Sequence, residues 1–152
     1  MIVYRVGRTK YANDLTGEGA RINGGRWNHK LTPCIYTSQS RALALLEYTV
    51  NVNIDDIPRA LSFTALEIPD NNFLILQPED LPGDWTAAPA PRSTKNLGTA
   101  LLQKRDYCII KIPSAVIPDE YNYLLNPLHT GIAHCNILSI KDFVYDVRIK
   151  TV

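Results

Sequence analysis

No run of about 20 apolar residues crosses this chain, so a membrane-spanning helix is not expected. The opening segment, MIVYRVGRTK, has no apolar stretch of useful length and no small-residue cleavage site, which predicts a soluble, unexported, cytoplasmic protein. Cysteine is scarce. Cys34, Cys108 and Cys135 are odd in number, far apart and without a C-x-x-C pair, so neither a disulfide framework nor a zinc site is suggested and a reducing compartment fits. A charge excess of one sign is lacking too: 16 Lys and Arg face 15 Asp and Glu. No broad positive field is therefore on offer to nucleic acid.

Several catalytic signatures are missing as well. No G-K-[ST] phosphate loop occurs, and in TGEGARINGGRWN the third glycine of a dinucleotide fingerprint is replaced by Ile22, with no amphipathic helix expected to start there. His29, His129 and His134 are too scattered to make a metal site. Ser114, in IPSAVIP, lacks the glycines of a nucleophile elbow and reads first as a turn serine bonding nearby backbone. Paired carboxylates, the mark of ordinary glycosidases, are not legible either.

What remains is ordinary globular material, 45% apolar and 20% charged, enough for one domain over residues 1–152 with a core of its own. IVYRV (2–6) and CIYTS (34–38) read as strands, joined by a long loop over 7–33 that holds five of the eight glycines. Residues 38–52 predict a helix capped by Ser38 or Ser40, with Ala42, Leu43, Leu45, Leu46 and Val50 as its buried stripe. Glu47 falls on the border of that stripe, beside Leu43. Strands are expected within 59–69 and 73–77, a Pro-rich excursion over 78–93, a second helix over 93–105 capped by Ser93, and strand-rich segments at 107–118 and 136–149. Strands and helices do not alternate strictly, so the fold class is α+β with a mostly antiparallel or mixed sheet.

GGRWN, residues 24–28, sets two glycines before a guanidinium, an indole and an amide. The glycines permit positive φ and close approach to the backbone, and Arg26 offers a rigid fork of donors for phosphate or carboxylate. Trp27 reads as a flat surface in a site or as a plug in the core. Together with CIYTS, RALALLEY around Glu47, IPSAVIPDEYNYLLNPLH and the closing FVYDVRI, the chain resembles the RES domain from Tyr4 to Ile149. One departure is Thr130 after His129, where the family more often has proline.

The resemblance implies the toxin of a bacterial toxin–antitoxin pair that acts on NAD+ as substrate, needs no further cofactor and is restrained by an Xre-type helix-turn-helix antitoxin. A homodimer within that complex fits the same expectation. It implies a compact fold like that of ADP-ribosyltransferases, with an NAD cleft between sheets. Carried over by position, the family's catalytic residues fall on Arg26, Tyr36, Glu47 and Ser114, and a further motif position falls on Asn126, taken as an NAD contact. From the residues themselves, the Gly24 and Gly25 backbone admits the phosphates that Arg26 holds, and either Trp27 or Tyr36 stacks on a ring of NAD, unless Trp27 belongs to the core. In NAD+ the nicotinamide nitrogen is already positive, so it departs neutral without a general acid and one carboxylate can suffice. Three readings stay open: NAD+ degradation by water or phosphate, ADP-ribosyl transfer to an acceptor, and binding of a nucleotide or antitoxin without turnover.

Overall fold

The computed structural model describes residues 1–150; Thr151 and Val152, the last two positions of the expected domain, lie outside the described residues. The chain runs β1 (Ile2–Arg8), α1 (Glu18–Asn23), β2 (Ile35–Ser38), α2 (Arg41–Asn51), β3 (Leu61–Glu67), β4 (Phe73–Ile75), α3 (Arg92–Lys104), β5 (Ile109–Pro113), β6 (Tyr121–Leu125) and β7 (Asn136–Phe143). All seven strands join one sheet in the order β4-β5-β6-β2-β1-β3-β7. Neighbours are antiparallel except β4 and β5, which are parallel. The α+β class with a mixed sheet is what the irregular succession of elements predicts.

Both faces of one half of the sheet are buried, and the two-residue period of the strands sorts the core accordingly. Ile109 of β5 with Tyr123 and Leu125 of β6 join Val3, Ile35 and Leu66 in one cluster. Ile110 and Ile112 with Leu124 join Trp27, Cys34 and Leu102 in the other, which Leu97 and Leu101 of α3 help to cover.

The middle of the sheet is where it opens. β1 matches β3 over seven residue pairs but meets β2 at Tyr4 and Ser38 alone, so the two strands part on leaving that contact. β1 and β2 are thus neighbours in a single sheet, and both contribute residues to the cleft that the sequence reading expects between sheets.

Other local expectations shift too. The glycine-rich loop contains α1, a helix that the pattern does not announce because it is only six residues long. α2 is capped by Ser40, whose hydroxyl accepts the Leu43 N–H, and at its other end Lys150 donates to the Thr49 and Val52 carbonyls. Its buried residues are Leu43, Ala44 and Thr49, whereas Ala42 and Val50 of the expected stripe are exposed. The phase differs because α2 serves two surfaces, packing on β1 and β2 while giving Ala44, Glu47, Tyr48 and Asn51 to the cleft at helical spacing. Ser93 does not cap α3: Pro91 stands at that position, and the Ser93 hydroxyl donates to Asp84.

Candidate active site

Strand register gathers the polar residues of the site. Ser38 on β2 lies directly opposite Asn122 on β6, and Asn122 lies opposite Ile112 on β5. Ser114 follows two residues after Ile112 and keeps the ladder going, its N–H bonding the Glu120 carbonyl. Because side chains alternate across a strand, Ser38, Asn122 and Ser114 all project from the face that carries Leu124 and Ile112. α2 crosses above that face and brings Glu47 to them.

The contacts are short. Glu47 Oε1 accepts from Ser114 Oγ at 2.6 Å and from Asn122 Nδ2 at 2.7 Å. Ser38 Oγ donates to Asn122 Oδ1 at 2.6 Å. Ser114 Oγ also accepts the backbone N–H groups of Val116 and Ile117. Its turn role and its role toward Glu47 are therefore one arrangement, since the two N–H donors engage its lone pairs and leave its proton for the carboxylate. Ser114, expected as a catalytic residue, is fully buried and is not among the residues that line the cleft; it meets the cleft through its hydrogen bond to Glu47.

The cleft itself encloses about 860 Å³. β1 lines it with Tyr4, Arg5 and Val6, α2 with Ala44, Glu47, Tyr48, Val50 and Asn51, and the segment after Trp85 with Thr86 and Ala88 to Ala90. Among the lining residues Glu47 is the sole carboxylate, and Arg5 and Arg26 are the sole cations. Arg5 is anchored by both terminal nitrogens, to the carbonyls of Asp14 and Ala12 at 2.8 Å each. Burial lowers its pKa, opposed by nearby Asp14, and a guanidinium so placed still carries its charge at neutral pH.

Arg26 has a different task from a free anion clamp. Its Nη1 donates to the Trp85 carbonyl at 2.9 Å and the Ala87 carbonyl at 2.7 Å, tying the Pro-rich excursion to the GGRWN loop across the cleft mouth. Nε and Nη2 form no hydrogen bond to the described residues and still offer donors to the cleft.

Two of the expected ligand residues are engaged by the fold itself. Trp27 borders the cleft, yet it is 3% exposed and packs with Cys34, Leu102 and Ile110, so most of its ring belongs to the core. Asn126 is fully buried and does not line the cleft; its amide holds the Leu102 and Tyr107 carbonyls and accepts the Leu128 N–H. A side chain so engaged supports the end of α3, not a ligand.

Tyr36 borders the cleft while its hydroxyl organises the neighbouring loop. It accepts the Trp27 N–H at 2.9 Å and donates to Asn28 Oδ1 at 2.6 Å. Burial, with Cys34 adding, pushes this phenol well above its ordinary range, so it acts as a neutral hydrogen-bonding group. Gly25 makes room for it: a Cβ there would stand 2.5 Å from the Tyr36 hydroxyl. α3 approaches the same loop just as closely, since a Cβ at Gly98 would stand 1.8 Å from the Trp27 carbonyl oxygen. Gly24, at φ +70°, turns the chain. Both loop glycines border the cleft, and the fold requires them whatever binds there.

Sequence reasoning passed over Arg5, Tyr4, Tyr48, Ser38 and Asn122. The period of two that pairs Asn122 with Leu124, and the helical spacing that pairs Tyr48 with Ala44, are signals from which these could have been found. Tyr4 is further fixed by the Arg41 guanidinium, 4.4 Å above its ring. Among the described residues no group of His, Cys, Asp and Glu is arranged to hold a metal ion, and no helix is long and apolar enough to cross a membrane.

A profile described as the RES domain matches residues 2–146. The chain is 37% identical to Toxin Res of Yersinia enterocolitica serotype O:8 / biotype 1B, over 99% of this chain and 100% of that protein. It is 34% identical to the Prs ADP-ribosylating toxin of Sphingobium sp. (strain YBL2), over 93% of this chain and 90% of that protein. In fold it is similar to a chain in the crystal structure of the M. tuberculosis MbcT-MbcA toxin-antitoxin complex, with a TM-score of 0.75 at 20% identity, covering 94% of this chain and 84% of that one. With a profile match across nearly its whole length and relatives above 30% identity over at least 90% of their length, this chain belongs to the RES domain family.

Proposed function

We propose that this chain is the toxin of a toxin–antitoxin pair and an enzyme that cleaves NAD+ between nicotinamide and ribose in the cytoplasm, restrained by an Xre-type helix-turn-helix antitoxin. Family membership, a relative named as a toxin and a fold shared with a chain of a toxin-antitoxin complex support the first part. The observation that carries the second is the cleft, with one hydrogen-bonded carboxylate and two guanidinium groups in about 860 Å³.

In this reading the C–N bond breaks and its electron pair leaves with the nicotinamide nitrogen, which becomes neutral. The ribose is left as an oxocarbenium ion, and Glu47 stabilises that positive charge in a site where water is largely displaced. Arg5 and the donors remaining on Arg26 face the pyrophosphate. Tyr4 and Tyr48 provide stacking surface. A water molecule then adds to the cation and loses a proton, giving ADP-ribose; phosphate in its place gives ADP-ribose 1″-phosphate.

The name of the Sphingobium relative favours a second reading, ADP-ribosyl transfer, in which a protein nucleophile captures the same cation. Purified protein incubated with NAD+, with and without phosphate and a bacterial lysate, separates the outcomes by mass. Free ADP-ribose marks hydrolysis, its phosphate ester marks phosphorolysis, and a modified protein marks transfer. Intact NAD+ under all conditions would refute both readings.

A further inference from the structure

We infer that Asn122, held by Ser38, is a positioning residue that aims Glu47 in the cleft. The inference rests on the proposed NAD+ cleavage for its kinetic consequence and on the hydrogen-bond geometry for its physical content.

The orientation of the Asn122 amide is fixed from both ends. Its Nδ2 stands 2.7 Å from a carboxylate oxygen of Glu47, a place where only the NH₂ end of an amide is tolerated, because the carbonyl end would set two acceptors against each other. Its Oδ1 must then face Ser38, and the Ser38 hydroxyl donates to it at 2.6 Å. Ser38 and Asn122 are directly paired across β2 and β6, and Ser38 is 3% exposed, so the hydroxyl has little freedom to turn elsewhere.

The chain Ser38 to Asn122 to Glu47 ends on the same oxygen that Ser114 reaches. Both protein donors therefore converge on Oε1, and Oε2 receives no hydrogen bond from the described residues. One oxygen is the anchor and the other faces the task. Removing the Ser38 hydroxyl takes away the donor that holds the far end of the amide, so the amide gains freedom to shift and its charge-assisted bond to Glu47 weakens.

The test is a double-mutant cycle on nicotinamide release with Ser38→Ala, Asn122→Ala and the pair, each checked by melting temperature. For Asn122→Ala, kcat falls roughly tenfold or more, the scale set by losing a hydrogen bond to a charged group, while KM stays within about twofold. Ser38→Ala lowers kcat less, and the double variant is no worse than Asn122→Ala, since Ser38 acts through Asn122. Losses that multiply, or unchanged kcat in either single variant, would overturn the inference.

A second readout needs no turnover. The carboxyl carbon resonance of Glu47, assigned by its loss in Glu47→Gln, shifts in Ser38→Ala although the substituted residue does not touch Glu47. If the wild-type protein releases no nicotinamide while the resonance shifts in Ser38→Ala, the NAD+ reading alone is refuted; an unmoved resonance in Ser38→Ala refutes the positioning role whatever the substrate, and this readout also decides the case if Asn122→Ala does not fold.

Discussion

The Ser114 hydroxyl lies between a turn and a carboxylate, donating to Glu47 Oε1 at 2.6 Å while accepting the N–H groups of Val116 and Ile117. Ser114→Ala removes both functions at once. Two N–H groups lose their partner, at a cost of about 1–3 kcal/mol in stability, which for a chain of this size lowers Tm by several degrees at about 2–4 °C per kcal/mol. Turnover is expected to fall roughly tenfold on top of that. Calorimetry and nicotinamide release on one preparation check both. A fall in Tm with undiminished turnover would confine Ser114 to its turn.

Arg26→Lys keeps the charge and loses the fork. A single ammonium does not hold the Trp85 and Ala87 carbonyls and also present further donors to a phosphate. KM for NAD+ rises roughly tenfold, as for one lost charge-assisted bond, and the exposed Thr86–Pro89 stretch is cut faster in limited proteolysis. If the lysine variant matches the wild type in both, the guanidinium neither ties the segment nor meets the substrate.

Gly98→Ala probes the seat of α3 on the GGRWN loop. With the Trp27 carbonyl oxygen 1.8 Å from the new methyl group, helix and loop must separate, and the expected loss is about 3 kcal/mol or more. Gly83→Ala, where nothing lies within 4 Å, is the matched control and changes stability by less than about 0.5 kcal/mol. Urea titration of the two variants measures the contrast. Equal midpoints would contradict the close packing of α3 on Trp27.

These contacts show which parts of the architecture the sequence discloses. Ser40 and the apolar face starting at Leu43 announce α2, and the β-branched run of Ile2–Val6 announces β1, because local capping and periodicity decide such elements. The cleft is harder to read. Val50 looks like core because it is apolar, yet it lines a cleft and is exposed, and Trp27, which reads equally as a site surface or a core plug, is buried. Family resemblance selects Glu47, Tyr36 and Ser114, but the partner that orients Glu47 depends on the register of β2 against β6, a pairing of residues 84 positions apart. No local pattern encodes that distance. Arg26 shows the reverse limit, since its residue type suggests an anion while its carbonyl partners come from a segment 59 positions further along.

The three thiols are expected to differ in reactivity. A hydrogen bond from Cys135 holds the Cys108 thiol below its ordinary range against the effect of burial, and Cys108 lines a second pocket of about 400 Å³. Its hydrogen bond with Cys108, together with burial, raises Cys135, and burial raises Cys34. Because the thiolate is the nucleophile, iodoacetamide at mildly alkaline pH modifies Cys108 first in the native protein, read by peptide mass. Earlier modification of Cys34 would contradict the packing of the core around it.

The central claim is that Glu47 stabilises the charge formed when NAD+ loses nicotinamide, and Glu47→Gln isolates that charge. Both protein donors fall on one oxygen of Glu47, so the carbonyl of a glutamine can accept both bonds while the other oxygen is replaced by a neutral NH₂. The variant is expected to keep its fold and melting temperature, and to release nicotinamide on the order of 100- to 1000-fold more slowly, the usual cost of losing one well-placed electrostatic stabiliser. A folded Glu47→Gln protein that releases nicotinamide at the wild-type rate would contradict the account.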